Sequence, residues 1–146
     1  MDDLQIGSEA QIDGFGIITI EDFEFAGSFY VKDEDWIASG EEADYALLHA
    51  DIINLSFSAK NFLDEAVVKV IYDDSYEFGG WAYQASEKWS SKMPVYLNKE
   101  NQFAIAPFYR GYYMFGCTLP NYVVGNSSPL KMVINLGGNE ITYIIR

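Results

Sequence analysis

Hydrolytic or redox chemistry in this chain would have to draw on His49, its sole histidine, and Cys117, its sole cysteine. A cysteine–histidine dyad or a serine triad needs nucleophile, base and orienting carboxylate within hydrogen-bond reach of one another. No nucleophile motif surrounds either residue. His49 stands between Leu48 and Ala50 in an alternating run, so it is expected on the face opposite theirs, toward solvent or a sheet edge. Cys117 shares its phase with Tyr113, Phe115 and Leu119 and reads as a small, buried core residue. A single cysteine excludes an intramolecular disulfide and any multi-cysteine metal site, and with one histidine beside it zinc is not expected.

Carboxylates are the abundant reactive groups. The chain carries 22 acidic and 9 basic residues, for a net charge of −13, and the imbalance is local: residues 1–77 hold 19 acids and 3 bases, residues 78–146 only 3 acids and 6 bases. Such a field repels nucleic acid and anionic lipid, so nucleic acid is not an expected partner. Three oxygen-rich groups fall in expected loops: Asp33-Glu34-Asp35, Glu41-Glu42 with Asp44, and Asp73-Asp74. Calcium needs about six to eight oxygens converging on one point, and no spaced Asp-x-Asp-x-Asp-Gly loop supplies them here. These groups read as solvated acidic loops, with no cofactor and no metal required for folding. A carboxylate pair for glycoside hydrolysis carries little signal, because among so many acids some pair always falls at a suitable separation.

The stretch Tyr76, Phe78, Trp81, Tyr83 and Trp89, interrupted by Gly79-Gly80 and ending near Pro94, is of a different kind. Rings clustered in a short span supply large contact area at low entropic cost, so the five form a candidate platform for a protein or carbohydrate partner. The competing reading places Trp81 and Tyr83 in the core after a glycine bulge. Asn54-Leu55-Ser56 and Asn126-Ser127-Ser128 match the glycosylation pattern, which matters only in a eukaryotic secretory pathway.

These residues must be positioned by strands. At 146 residues, 49% apolar and 16% aromatic, the chain is expected to form one domain over residues 1–146. No apolar run approaches the roughly 20 residues of a spanning helix, so no membrane insertion is expected. Period-two alternation recurs between turn clusters. Met132, Ile134 and Leu136 alternate with Lys131, Val133 and Asn135, Gly137 to Asn139 turn the chain, and Ile141, Tyr143 and Ile145 resume; a two-residue Gly137-Gly138 loop sets Ile134 against Ile141 and Met132 against Tyr143. Tyr113 to Leu119 form a strand ended by Pro120; Val68, Val70 and Tyr72 form another, and Leu48, Ala50 and Ile52 a third. Near the N-terminus the apolar phase slips from Ile18 and Ile20 to Phe23 and Phe25, which predicts a bulge near Glu21-Asp22 where the strand crosses between sheets. Lys32 to Glu42 reads as a surface loop. Ser86 to Met93 and Asn61 to Val67 offer single helical turns at most. The pattern predicts an all-β fold, an antiparallel β-sandwich of two sheets with seven to nine strands.

The order of several short motifs resembles the telokin-like, immunoglobulin-like domain family of uncharacterised function found in exported proteins and lipoproteins of Gram-positive bacteria. The matching residues are Ile6-Gly7 before Gly14 and the strand Ile17 to Ile20, then Ile53-Asn54-Leu55-Ser56, then Ile105-Ala106-Pro107 with Gly111 and Phe115 to Pro120, and last Pro129 to Ile134 with its hairpin. The chain lacks the paired cysteines of antibody domains, and Tyr76 to Lys99 is longer and more aromatic than the family pattern. The resemblance implies an immunoglobulin-like β-sandwich and an extracellular or cell-envelope-attached address, and it implies no catalytic residue. No charged segment followed by an apolar run opens this numbering, so that address rests on the resemblance alone. The functional expectation is a non-enzymatic extracellular binding or interaction module of a bacterial exported protein. The alternatives are a small carboxylate-dependent hydrolase acting on a cell-envelope or carbohydrate substrate, and a structural accessory domain. Nothing in the sequence sets the oligomeric state.

Overall fold

The computed structural model describes residues 4–31, 35–64, 66–85, 97–98 and 104–146. Alternation of apolar and polar residues becomes twelve strands there: β1 (Glu9–Ile12), β2 (Gly16–Ala26), β3 (Ser28–Val31), β4 (Asp35–Ala38), β5 (Ala43–Asn54), β6 (Ala66–Tyr72), β7 (Tyr76–Gly79), β8 (Trp81–Ala85), β9 (Leu97–Asn98), β10 (Arg110–Pro120), β11 (Leu130–Leu136) and β12 (Asn139–Ile144), with one short helix, α1 (Asn121–Gly125), between β10 and β11. They form two sheets, β1-β2-β5-β10-β8-β9-β3-β4 and β12-β11-β6-β7. The expected β-sandwich is therefore present. All pairings between strands are antiparallel except β3 with β9, which meet at Val31 and Leu97.

The core lies between the sheets. Ile18, Ile20, Leu48, Ile52, Phe115 and Leu119 come from the larger one and Val70, Met132, Ile134 and Ile141 from the smaller, all of them buried. β5 and β10 make the spine, paired continuously from Ala43 opposite Pro120 to Ile53 opposite Arg110. The last hairpin has the anticipated register, Ile134 opposite Ile141 and Met132 opposite Tyr143, with Gly137 and Gly138 both at positive φ. Beyond it, the Arg146 guanidinium donates to the carbonyls of Val123 and Val124. Those groups at the end of α1 have no partner within so short a helix, and the arginine satisfies them.

Four expectations are corrected. The register does shift between Ile20 and Asp22, but β2 stays paired with β5 on both sides of this bulge instead of crossing to the other sheet. Lys32 to Glu42 is not simply a loop: β3 and β4 form a hairpin with Tyr30 opposite Trp36. The strands exceed nine, partly because that hairpin adds one and partly because the run from Tyr76 to Ala85 is split at Gly80 between two sheets. A Cβ at Gly80 would stand 2.4 Å from the Gly116 carbonyl oxygen, so only glycine lets the chain change sheets this tightly. Finally, His49 is buried rather than solvent-facing, at 6% exposure. Of the expected helical turns, Asn61 to Val67 becomes a turn followed by β6, and Ser86 to Met93 lies outside the described residues.

His49 is buried because the outer face of the large sheet is covered as well. Phe29 of β3 packs against Tyr45 of β5, ring centroids 4.8 Å apart, and against Trp81 and Tyr83 of β8 at 5.0 and 5.8 Å. Four strand spacings separate β3 from β5 in the sheet order, roughly 19 Å in a flat sheet. The sheet must therefore coil back over itself, closing a second apolar cluster of Phe29, Tyr45, Leu47 and Met114. Trp81 lies directly on the backbone of Gly116, where an added Cβ would stand 2.3 Å from its ring.

Two outcomes follow from this packing. Gly116→Ala should lower stability in urea unfolding by about 1–3 kcal/mol, because the methyl must push Trp81 off the sheet; an unchanged midpoint would show that the ring moves freely. Cys117 is buried, its Sγ 3.5 Å from the Gly79 carbonyl oxygen, and burial pushes its thiol up from 9.0 to about 11. Because the folded value is the higher one, the stabilisation is complete below pH 9 and is lost as pH rises through about 11. The loss relative to a Cys117→Ala variant should approach about 2–3 kcal/mol, and parallel stability–pH curves for the two proteins would contradict it.

Candidate functional site

The five rings singled out in the sequence do not share one surface. Tyr76 and Phe78 sit on β7, at the edge of the smaller sheet, with centroids 4.8 Å apart; Tyr76 is exposed, while Phe78 packs against the main core. Trp81 and Tyr83, beyond the Gly80 switch, lie half-buried on the outer face of the larger sheet against the Phe29 cluster. Trp89 lies outside the described residues. The switch of sheets thus divides the stretch.

The groups considered for catalysis are also kept apart. Cys117 pairs with Ala46 and points into the core, whereas His49 pairs with Met114 and shares the outer face with Leu47. Cysteine and histidine occupy opposite faces of one sheet, so no dyad forms. His49 Nε2 lies 3.6 Å from Glu24 Oε1, and Arg110 Nη1 donates to Asp51 Oδ2 at 3.3 Å. Asp73 and Asp74 take φ values of 52° and 54° in the β6–β7 turn, a conformation aspartate tolerates better than most residues; turn geometry accounts for them. The side chains of Asp33, Glu34 and Asp35 lie outside the described residues. Among the described residues no three His, Cys, Asp or Glu side chains gather as metal ligands do.

What the fold does assemble is an aromatic tip at one end of the sandwich, where β5 runs out and β10 begins. Asn54 closes β5 and is fully buried. Its Nδ2 donates to the carbonyls of Ser58 and Ile105, both at 2.8 Å, and its Oδ1 accepts from the Ser56 amide and hydroxyl at 2.9 and 2.7 Å. Its main chain joins the second loop, Phe108 N donating to Asn54 O at 2.6 Å and Asn54 N to Tyr109 O at 3.0 Å. One asparagine thereby ties together two segments far apart in sequence. This also removes the Asn54-Leu55-Ser56 pattern from glycosylation, since the acceptor nitrogen is buried and in use.

The second loop turns through Ala106-Pro107-Phe108-Tyr109, closed by Tyr109 N donating to Ala106 O at 3.1 Å. Proline in second place and positive φ in third are the marks of a type II turn, whose third position favours glycine. Here it is Phe108, at φ 70°. A bulky side chain in the left-handed region costs about 1–3 kcal/mol, and such strain concentrates where a side chain must be presented. Phe108 is 63% exposed, and Phe57, whose ring packs edge-on to it at 6.1 Å, is 91% exposed. Tyr109 and Leu55 are exposed beside them in sequence. Residues 52–63 and 104–112 contain no acid, although the chain as a whole is strongly acidic.

The same loop, residues 55–64, walls a shallow cleft of about 290 Å³ with the β1–β2 and β11–β12 turns, lined by Phe15, Ala59, Lys60, Asn61, Phe62, Asp64 and Gly137. Lys60 Nζ rests over the Phe15 ring at 5.6 Å. Among the described residues Asp64 is the one carboxylate lining it.

Sequence reasoning passed over Leu55, Phe57, Phe108 and Tyr109. The available signal was Pro107 followed by a phenylalanine where a turn of this kind favours glycine, with two adjacent rings out of phase with β10. Replacing Phe108 by glycine should stabilise the fold by about 1 kcal/mol in urea unfolding, because the strain at φ 70° is relieved. A loss of stability instead would mean that the contact with Phe57 outweighs the strain.

No protein-family model and no curated protein matches the chain. Among solved structures it is similar to an uncharacterized beta-sandwich protein from Clostridium difficile 630, with a TM-score of 0.77 and 20% identity over 99% of this chain and 93% of that one. It is similar also to a conserved hypothetical protein from Bacillus anthracis, with a TM-score of 0.65 and 7% identity over 97% and 94% of the two chains. At these identities the likeness is one of fold: a β-sandwich matched along nearly its full length.

Proposed function

We propose that this chain is a non-enzymatic binding module of a bacterial exported protein, a single domain of the telokin-like, immunoglobulin-like kind, exposed outside the cell or attached to its envelope. It engages its ligand through the aromatic tip. The observation that carries this reading is the Phe57–Phe108 pair, two rings held in solvent on loops locked by Asn54, one of them in a backbone conformation that disfavours it. Exposed rings leave apolar surface in water at roughly 25 cal/mol per Å², so their presentation on a rigid support points to recognition. The arrangement follows the general logic of binding proteins, a stable sheet scaffold with function on its loops.

The test is sedimentation of the fluorescently labelled protein with bacterial cell-envelope fragments. The wild type should co-sediment, and Phe57→Ala combined with Phe108→Gly should weaken binding about 30-fold, the effect of removing an interface anchor worth about 2 kcal/mol, while the fold stays intact by circular dichroism. Equal binding by wild type and variant, or none by either, would overturn the reading. Release of soluble fragments from the envelope above the buffer rate would make the protein an enzyme instead.

A further inference from the structure

We infer that the cleft beside Lys60 is a subsite for a neutral, hydroxyl-rich ligand, a single sugar residue of a glycan. This rests on the binding reading above and names the chemistry of its ligand. The cleft is lined by both kinds of surface: Phe15 supplies apolar carbon, with the buried Phe62 ring packed against it at 5.7 Å between centroids, and Lys60, Asn61 and Asp64 supply a polar rim. The rim offers both kinds of hydrogen-bonding group. Lys60 can only donate, an ionised Asp64 can only accept, and Asn61, whose Oδ1 already accepts from Leu63 N at 3.1 Å, has its NH₂ to donate.

That inventory decides between ligand classes. Among the described lining residues the formal charges of Lys60 and Asp64 cancel, so an anionic ligand meets the carboxylate and a cationic one the ammonium. An apolar peptide or acyl chain would cover both charges and the Asn61 amide without replacing their hydrogen bonds to water, which is costly. A sugar avoids both penalties, since its hydroxyls donate and accept around the ring and it carries no charge of its own. The site is also held in shape. Lys60 N donates to Ile105 O at 3.0 Å and Ile105 N to Lys60 O at 2.7 Å, which ties the cleft wall to the segment leading to Phe108, and the ammonium is held over Phe15. The volume of about 290 Å³ is at the lower end of small-molecule sites and suits one sugar ring rather than a chain. A longer glycan would extend from it across the loops that carry Phe57 and Phe108.

Glucose, galactose and N-acetylglucosamine, with the β-linked disaccharide of each, are titrated into the ¹⁵N-labelled protein, with glucuronic acid and glucosamine as charged controls. At least one neutral sugar should bind in the millimolar range, more tightly than both controls, and shift amides within residues 13–15, 59–64 and 137–138. Asp64→Ala and, separately, Lys60→Met should each weaken it about tenfold, as expected for a lost charged hydrogen bond; Asp64 is exposed, so the melting temperature should stay in place. Absence of shifts with every neutral sugar, tighter binding of a charged control, or unchanged affinity in Asp64→Ala would overturn the inference. Envelope binding by the same variants separates the two readings. If Phe57→Ala releases the protein from envelope while Asp64→Ala does not, the tip binds and the cleft inference fails; if neither does, the binding reading fails.

Discussion

The antiparallel pairing of β5 with β10 is the constraint on which the rest of the molecule depends. Tyr45 through Ile52 are all buried, and successive side chains in a strand point to opposite faces, so this strand is covered on both. Inner residues such as Leu48 and Ile52 meet the small sheet, while outer residues such as Tyr45 and Leu47 meet the coiled-back hairpin. A strand enclosed on both sides cannot slip by one residue without exchanging two sets of contacts at once, which fixes its register more firmly than one buried face could. The ends of the spine are fixed with it. Where β5 runs out at Asn54 and β10 begins at Arg110, the two loops necessarily meet, and the aromatic tip stands on that meeting.

Rigidity and exposure are consequently combined at one end of the sandwich. Asn54 satisfies the polar groups of both loops from within, so their shape does not depend on a ligand, while their rings face outward. The other aromatic groups have different roles. Phe29, Tyr45, Trp81 and Tyr83 interlock over the large sheet with centroid distances of 4.8 to 5.8 Å and close the second cluster. Phe23 joins Tyr143 at 5.4 Å, linking one sheet to the other. Ring content alone therefore says little about recognition; exposure and backbone strain separate the tip from the packing.

Charge is distributed in keeping with this arrangement. Acids are frequent in the first half of the chain, yet the segments that present Phe57 and Phe108 contain none. Carboxylates next to the rings would hold water at the surface that a ligand must dry. Among the described residues lining the cleft on the same loop, one carboxylate is balanced by one ammonium.

Much of the sandwich could be read from the residues. Alternation marked β5, β6, β10 and the closing hairpin, the slip from Ile20 to Phe23 marked the bulge, and the phase shared with Phe115 placed Cys117 inside, because each of these signals is set by neighbours in sequence. The Asn54 and Pro107 segments were likewise visible, as two short motifs. Their union was not, since Asn54 reaches Ile105 across 51 residues and local pattern carries no information on such a pairing. For the same reason His49 was expected at a surface: period two reports which face a side chain takes, but only the coiling of the large sheet decides whether that face is covered. The aromatic stretch from Tyr76 shows the limit most clearly. Its composition was evident, but a single glycine carries the chain from one sheet to the other, and that tertiary event, not the spacing of the rings, determined that Tyr76 and Trp81 would never share a surface while Phe57 and Phe108 would.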